Sequence, residues 1–581
     1  MELYLKHQKD FVHIFSSIHR NTDLPVFMKR IQDLIVSLKT TIMLEKKKSI
    51  QACHFSILTL LYKLIPYTRD IYGGLGERNL SYAMIFIWKY HFHIPSAKAV
   101  QKMLLPIDKN PPYGSWRDIK HLCEFVKTHS EKGEGDPFIE TCIGLMNHQL
   151  HEDENKWNES LEEFIRKQNT IVEISRPTPS DVGISLVCKW IPREHSAFHW
   201  LFKRCVIQWI RSFKPHYFKT CKTDAQFERA MKKGSKEYRR SFARLSTLWD
   251  TLEIKQCKHE WDKIRMDNVP MTAMRKQQQA LLNIGQNGNP RKNTCKDIQR
   301  DTCSMKLKLH WLANTNHKRS NPKDVNPLFA NMGDIIKTAL RVSKPDEIKR
   351  SENEWNHVLS QVSNLEHFLP ILDMSMFYSD KDAFYEALGI ACLIAKKSSK
   401  RILMFDQTVH FVSVDYDNLQ TILHNLRPLY YEHHIGQNFE LVSHLLIENI
   451  KLSNMSSDDI SKMKLVLLVR NKETVSMKRT IDTLFDKAGF DTSPFLFIWN
   501  SHPHAYFDGG HINDISGQCS ISETILSKTF YISGSTNLLW SRISQISNDI
   551  WKKINAYDLI AFLLNQSRYN AFEDYFKTML K

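Results

Sequence analysis

Five short apolar runs constrain the fold of this chain more than any other feature. They are Phe368-Leu369-Pro370-Ile371-Leu372-Asp373, Ile402-Leu403-Met404-Phe405, Leu465-Val466-Leu467-Leu468-Val469, Phe495-Leu496-Phe497-Ile498-Trp499 and Phe530-Tyr531-Ile532. None alternates apolar with polar, so each predicts a strand covered on both faces. Helical stretches, such as Ala383 to Lys397, separate them. Strand, helix, strand in this order predicts a doubly wound, mainly parallel sheet over residues 360–550, with ligands at the carboxyl ends of its strands. Residues 551–581 read as a C-terminal helical segment.

The rest of the chain reads differently. In residues 1–210 apolar positions recur at helical spacing, as in Leu24 to Leu38, Phe55 to Ile65 and Leu80 to Trp88. Gly73-Gly74-Leu75-Gly76, Pro106 and Pro111-Pro112-Tyr113-Gly114 punctuate them. This predicts helix–turn–helix units stacked as an irregular array. The glycines at 73, 74 and 76 are expected to supply positive φ between two helices. Residues 211–350 continue the helices into a basic, loop-rich stretch broken at Gln286-Asn287-Gly288-Asn289-Pro290. The predicted class is α + α/β.

Charge is concentrated in this stretch. Residues 211–330 hold 26 Lys and Arg against 11 Asp and Glu, and so carry +15 of the chain's +17. Such a segment attracts a polyanion by counterion release. The candidate RNA-binding residues are Lys232, Lys233, Lys236, Arg239, Arg240, Arg291, Lys292, Lys318 and Arg319. Phe213, His216, Tyr217, Phe218, Tyr238 and Phe242 lie among them and are expected to stack bases. No zinc finger, basic zipper or RNP sequence accompanies them, so the expected contact is with phosphates.

Several enzyme classes lack their signature. Gly76 is followed by Glu77 where a P-loop needs Lys and Ser or Thr, and there is no Gly-x-Ser-x-Gly elbow or kinase set. His502-Pro503-His504 with Asp508 and His511 is the one metal-like cluster, and a metal hydrolase centred there is the weakest reading. The eleven cysteines include no CxxC pair and are expected as buried thiols in a reducing compartment. No secretory leader opens the sequence and no apolar run reaches bilayer length, so a cytoplasmic site, nuclear, or packaged in a particle assembled there, is expected.

Colinear fragments add a resemblance. They are Arg69-Asp70 with Gly73-Gly74-Leu75-Gly76-Glu77-Arg78; Tyr113-Gly114-Ser115-Trp116-Arg117-Asp118; Ile184-Ser185-Leu186 with Lys189-Trp190-Ile191-Pro192; Tyr238-Arg239; Glu260-Trp261-Asp262-Lys263-Ile264 to Val269-Pro270; Phe497-Ile498-Trp499-Asn500; and Ile532-Ser533-Gly534. In this order they resemble the TROVE/Ro group, and more closely a DUF family of plants, fungi and large DNA viruses. The resemblance implies a HEAT-like helical ring or arc closed by a von Willebrand factor A-like (vWA) domain, binding small or misfolded RNAs, in a virus-derived chain. It also implies a Mg²⁺ site, built on Asp-x-Ser-x-Ser and two later loops. Here Asp373 and Ser375 stand, but Phe377 replaces the second Ser, Gln437 the Thr, and Asn471 lies in Arg470-Asn471-Lys472-Glu473 where the last Asp is expected. Phe377 has no oxygen to offer a hard cation. The expectation is a degenerate site without metal, no cofactor, no enzymatic activity, and RNA as partner. The competing expectation is a protein-interaction or virion module that docks partners through its vWA face.

Overall fold

The computed structural model describes residues 2–579 except 19–21, 71–73, 107–110, 169–176, 220, 270, 317–331, 343–344, 432–437, 471–473, 501–528, 533–536 and 552–553. The chain forms two compact units, one of residues 1–91 with 326–581, the other of residues 92–325. The architecture is mostly helical with a six-stranded sheet. No helix among the described residues is long and apolar enough to cross a membrane.

In the first unit, all five apolar runs are strands: β1 (Phe368–Asp373), β2 (Arg401–Phe405), β4 (Lys464–Val469), β5 (Phe495–Asn500) and β6 (Thr529–Ile532). They pair in parallel. A further strand, β3 (Val409–Ser413), pairs antiparallel with β2 and forms the edge in the order β3-β2-β1-β4-β5-β6. Every residue of β1 and β4 is buried. Leu369, Ile371, Leu465, Leu467, Leu496 and Ile498 face a core completed by Val442, Leu446 and Ile450 of the Phe439–Leu452 helix and by Met477, Ile481 and Phe485 of the Thr474–Lys487 helix. On β1's other side, the Lys381–Lys397 helix packs against the strand, with the Met332–Arg341 helix outside it. There Gly389 is required by close approach: a Cβ would lie 2.9 Å from Met332 Cβ.

The helices Glu2–Ser16, Leu24–Leu44, Lys48–Arg69 and Arg78–His91 belong to this same unit, packed on one another and on Ala556–Leu564 and Ser567–Met579. The break between units therefore falls at 91/92, inside the region that reads in sequence as one helical array to 210. An ion pair fastens the two ends of the chain. Asp70, wholly buried, receives Arg568 Nε at 2.7 Å and the Tyr569 hydroxyl at 2.9 Å. Lys63 Nζ donates to Glu573 and Asn565. The Gly74–Gly76 turn is structural, although the two glycines serve differently. Gly76 has φ +71°, while at Gly74 a Cβ would sit 1.8 Å from the Tyr67 carbonyl oxygen. Gly73 lies outside the described residues.

The second unit is helical. The helices Trp116–His129, Pro137–Gln168, His199–Phe213 and Asp224–Trp249 pack together. Trp116–His129 begins in a capping box, Ser115 with Asp118, which accounts for Ser115 and Asp118 in the Tyr113–Asp118 motif. Beyond residue 252, two short 3-10 turns and the helices Met271–Leu281 and Ile298–Asn316 gather around Trp261, Met266, Leu281, Cys303 and Leu307. The breaker at 286–290 is a turn closed by an Ile284–Pro290 bridge, with Gly288 at φ +76°. Of the described cysteines, Cys123, Cys142, Cys188, Cys205, Cys303 and Cys392 are buried thiols, whereas Cys53, Cys257 and Cys295 are exposed.

Candidate functional site

The carboxyl edge of the sheet is where a doubly wound fold presents ligand groups, at the point where strand order reverses. Here that point lies between β1 and β4. Asp373 ends β1, fully buried, and its Oδ1 accepts both the Ser375 backbone N–H at 2.9 Å and the Ser375 hydroxyl at 2.6 Å. At the end of the neighbouring β2, Asp406 repeats the pattern with the Thr408 N–H and hydroxyl at 2.6 and 2.8 Å. These carboxylates are engaged by their own loops.

Phe377 is packed away from solvent beside this edge. The short Met376–Ser379 helix buries it among Phe384, Tyr430 and Tyr431, with ring centroids 5.0 to 5.3 Å apart. An apolar plug stands at this position and offers no oxygen. Arg470, just after β4, contributes a positive charge to the same edge: it pairs with Asp380 at 3.1 Å and donates to the Ser379 carbonyl at 3.0 Å. Gln437 and Asn471 lie outside the described residues, as do His502, His504, Asp508 and His511. Among the described residues, no three His, Cys, Asp or Glu side chains are placed to hold a metal ion together.

The basic surface is built on one helix, Asp224–Trp249. Thr223 and Gln226 form its capping box. One stripe is anchored: Gly234 allows contact with Ile210, where a Cβ would lie 2.2 Å from Ile210 Cδ1. The Tyr238 hydroxyl donates to Asn147 at 2.6 Å, and Phe242 and Leu245 are buried. The opposite stripe carries Lys232, Lys233, Lys236, Arg239 and Arg240, all exposed. Arg239 pairs with Glu194, and Lys233 sits 4.4 Å from the Tyr217 ring centroid. Lys232, Lys236 and Arg240 make no ion pair among the described residues, and their i, i+4 spacing sets them in one row. Arg229, missed in the sequence reading, is exposed on the same helix. The 229-233-236-240 spacing is the signal that finds it.

The aromatic expectation needs correcting. Tyr238 and Phe242 face the core because the helix must bury a stripe to dock, so neither offers a ring to a base. Arg291 and Lys292 are exposed on the separate turn after residue 290, with the Arg291 side chain donating to the Ile284 carbonyl. Lys318 and Arg319 lie outside the described residues.

Comparison with known proteins yields a match to an uncharacterised protein of Acanthamoeba polyphaga mimivirus, 25% identical over 225 residues. The match covers 38% of this chain and 32% of that protein, so the chain spans about a third of its relative's length. No family model and no solved structure matches.

Proposed function

We propose that this chain is a non-enzymatic, Ro-like scaffold of viral type that binds RNA through the exposed stripe of the Asp224–Trp249 helix, and that its α/β part is a vWA-type domain without a working metal site. The observation that carries the reading is the row Lys232, Lys236 and Arg240, exposed and without carboxylate partners among the described residues. Surface cations with no partner gain most from meeting phosphates, because no existing ion pair has to break. The mimivirus similarity supports the viral leaning. The plug at Phe377 supports a metal-free edge. On this reading the protein needs no cofactor, and Mg²⁺ has no role at Asp373.

Charge reversal tests it. The triple variant Lys232→Glu, Lys236→Glu and Arg240→Glu is expected to bind single-stranded RNA at least ~10-fold more weakly at low salt. Its salt dependence should be flatter by about 2, three contacts at roughly 0.7 each. An unchanged salt slope would remove this helix from the interface.

A specific observation favours a second reading, in which the sheet edge docks a protein. Tyr378 and Tyr431 remain 57% and 47% exposed beside the plug, joined by the Tyr378 hydroxyl to the Tyr431 carbonyl at 3.1 Å. Exposed tyrosines of this kind are common anchors in protein interfaces.

A further inference from the structure

A cavity of about 360 Å³ opens in the second unit, lined by Lys120, Trp190, Arg193, Phe198 and Trp249. That volume lies within the range of small-molecule sites, roughly 300–1,000 Å³. It lies apart from the exposed row on the basic helix, whose last turn contributes Ser246 and Trp249 to the wall.

Its walls combine two chemistries. Trp190 ends the short Val187–Trp190 helix, and cations surround its indole. Lys120 Nζ is 5.1 Å from the ring centroid, Lys189 Nζ 5.4 Å and the Arg117 guanidinium carbon 5.5 Å. Lys120 also lies 5.3 Å from the Phe198 ring. Arg193 enters from the following loop and rests over Phe242 at 4.3 Å. The walls are fixed: the Trp249 indole N–H donates to the Ser185 carbonyl at 3.0 Å, and the Ser185 hydroxyl is held by Asp153 at 2.6 Å.

The charge balance is open. Glu253 is the carboxylate of the lining, and Lys189 engages it at 2.9 Å. Lys120 and Arg193 have no carboxylate partner among the described residues. Burial, and then the charges of Arg117 and Arg193, push the Lys120 ammonium below its ordinary value. Cations gathered at one mouth repel each other, and cation–π contacts with the rings do not remove that repulsion. An anion relieves the repulsion directly. The aromatic lining adds a place for a flat, apolar-faced group beside that anion, because ring faces offer stacking and the Trp249 N–H is already given to the Ser185 carbonyl.

We infer that this cavity binds a nucleotide unit, its phosphate between Lys120 and Arg193 and its base on the aromatic lining of Trp190, Phe198 and Trp249. The same chemistry is present in a free nucleoside monophosphate and in one residue of a single-stranded RNA. The inference rests on the RNA-binding reading for the polymer, and not for the mononucleotide.

Calorimetric titration of the full chain with AMP, adenosine, inorganic phosphate and a short oligo(A) tests it. AMP is expected to bind one to one, with adenosine and phosphate each at least 10-fold weaker. The Lys120→Gln, Arg193→Gln variant should weaken AMP at least 10-fold, and so should Trp190→Ala, with melting temperatures confirming that both variants fold. Charge reversal at Lys236 and Arg240 should leave AMP binding unchanged. AMP binding without oligo(A) binding would support the cavity as a free-nucleotide site and defeat the RNA reading. Oligo(A) binding that ignores Lys120, Arg193 and Trp190, with no AMP binding, would overturn the cavity and leave the RNA reading standing. Phosphate binding as tight as AMP, AMP binding unaffected by the variants, or no binding of AMP and oligo(A) alike would also overturn it.

Discussion

The sheet's carboxyl edge and the surface of the second unit make opposite use of polar side chains. At the edge, Asp373 and Asp406 are each occupied by the serine or threonine two residues on, Arg470 is paired with Asp380, and Phe377 is packed in aromatic rings. In the second unit, Lys120, Arg193, Lys232, Lys236 and Arg240 have no carboxylate to answer them among the described residues. The difference teaches where to look for a ligand. Polar groups that satisfy one another stabilise a fold and leave little to give, whereas uncompensated charge held on a rigid frame is available for binding.

The largest effect is expected from removing the Phe377 plug. Phe377→Ser restores the hydroxyl that a metal-binding Asp-x-Ser-x-Ser would carry. It also removes a ring 2% exposed. The expected loss is about 3–5 kcal/mol, the usual range for a buried Phe truncated to a small residue, read as a fall in denaturant midpoint. No gain in stability on adding Mg²⁺ is expected. Stabilisation of the variant by millimolar Mg²⁺ would show that the edge still holds a usable site.

Acid should separate the units next. His7 and His13 of the first unit are held down to about 4 by burial, and His7 Nδ1 meets His54 Nδ1 at 3.0 Å, a pairing that requires one ring to be neutral. Unfolded, each imidazole takes a proton near its ordinary 6.5. Between pH 6.5 and about 4 the unfolded chain therefore binds more protons than the folded one, and stability falls as pH falls. By pH 5 the expected loss is on the order of 2–4 kcal/mol, seen in thermal melts across that window. Flat melting temperatures from pH 7 to 5 would contradict the buried neutral pair.

A smaller effect sharpens the contrast. Asp373→Ala leaves the Ser375 hydroxyl and N–H without their acceptor, at a cost of about 1–3 kcal/mol. RNA affinity should not change, with or without Mg²⁺. A Mg²⁺-dependent loss of binding would make the edge part of the interface.

The sequence was informative where burial is uniform and poor where sites are assembled. Strands covered on both faces must be apolar throughout, so β1, β2, β4, β5 and β6 stand out. β3 does not, because an edge strand tolerates His410 and Ser413. The basic helix is legible from local charge, although which aromatics it buries is not, since Tyr238 is committed to a partner 91 residues away. The Arg69-Asp70 fragment is visible as a motif, but its partner Arg568 lies 498 residues on. The cavity around Trp190 was missed for the same reason: Arg117, Lys120, Lys189 and Arg193 lie outside the basic segment and converge only in the packed structure.

Open charge in the second unit is proposed to bind RNA. The most direct measurement is filter binding of the full chain to single-stranded RNA, structured RNA and duplex DNA at about 50 and 200 mM salt, the interval over which phosphate contacts lose affinity steeply. Binding is expected to favour RNA and to weaken as salt rises. No binding to any of the three at 50 mM salt would contradict it, and the exposed tyrosines at the sheet edge would then become the better guide to what this protein meets.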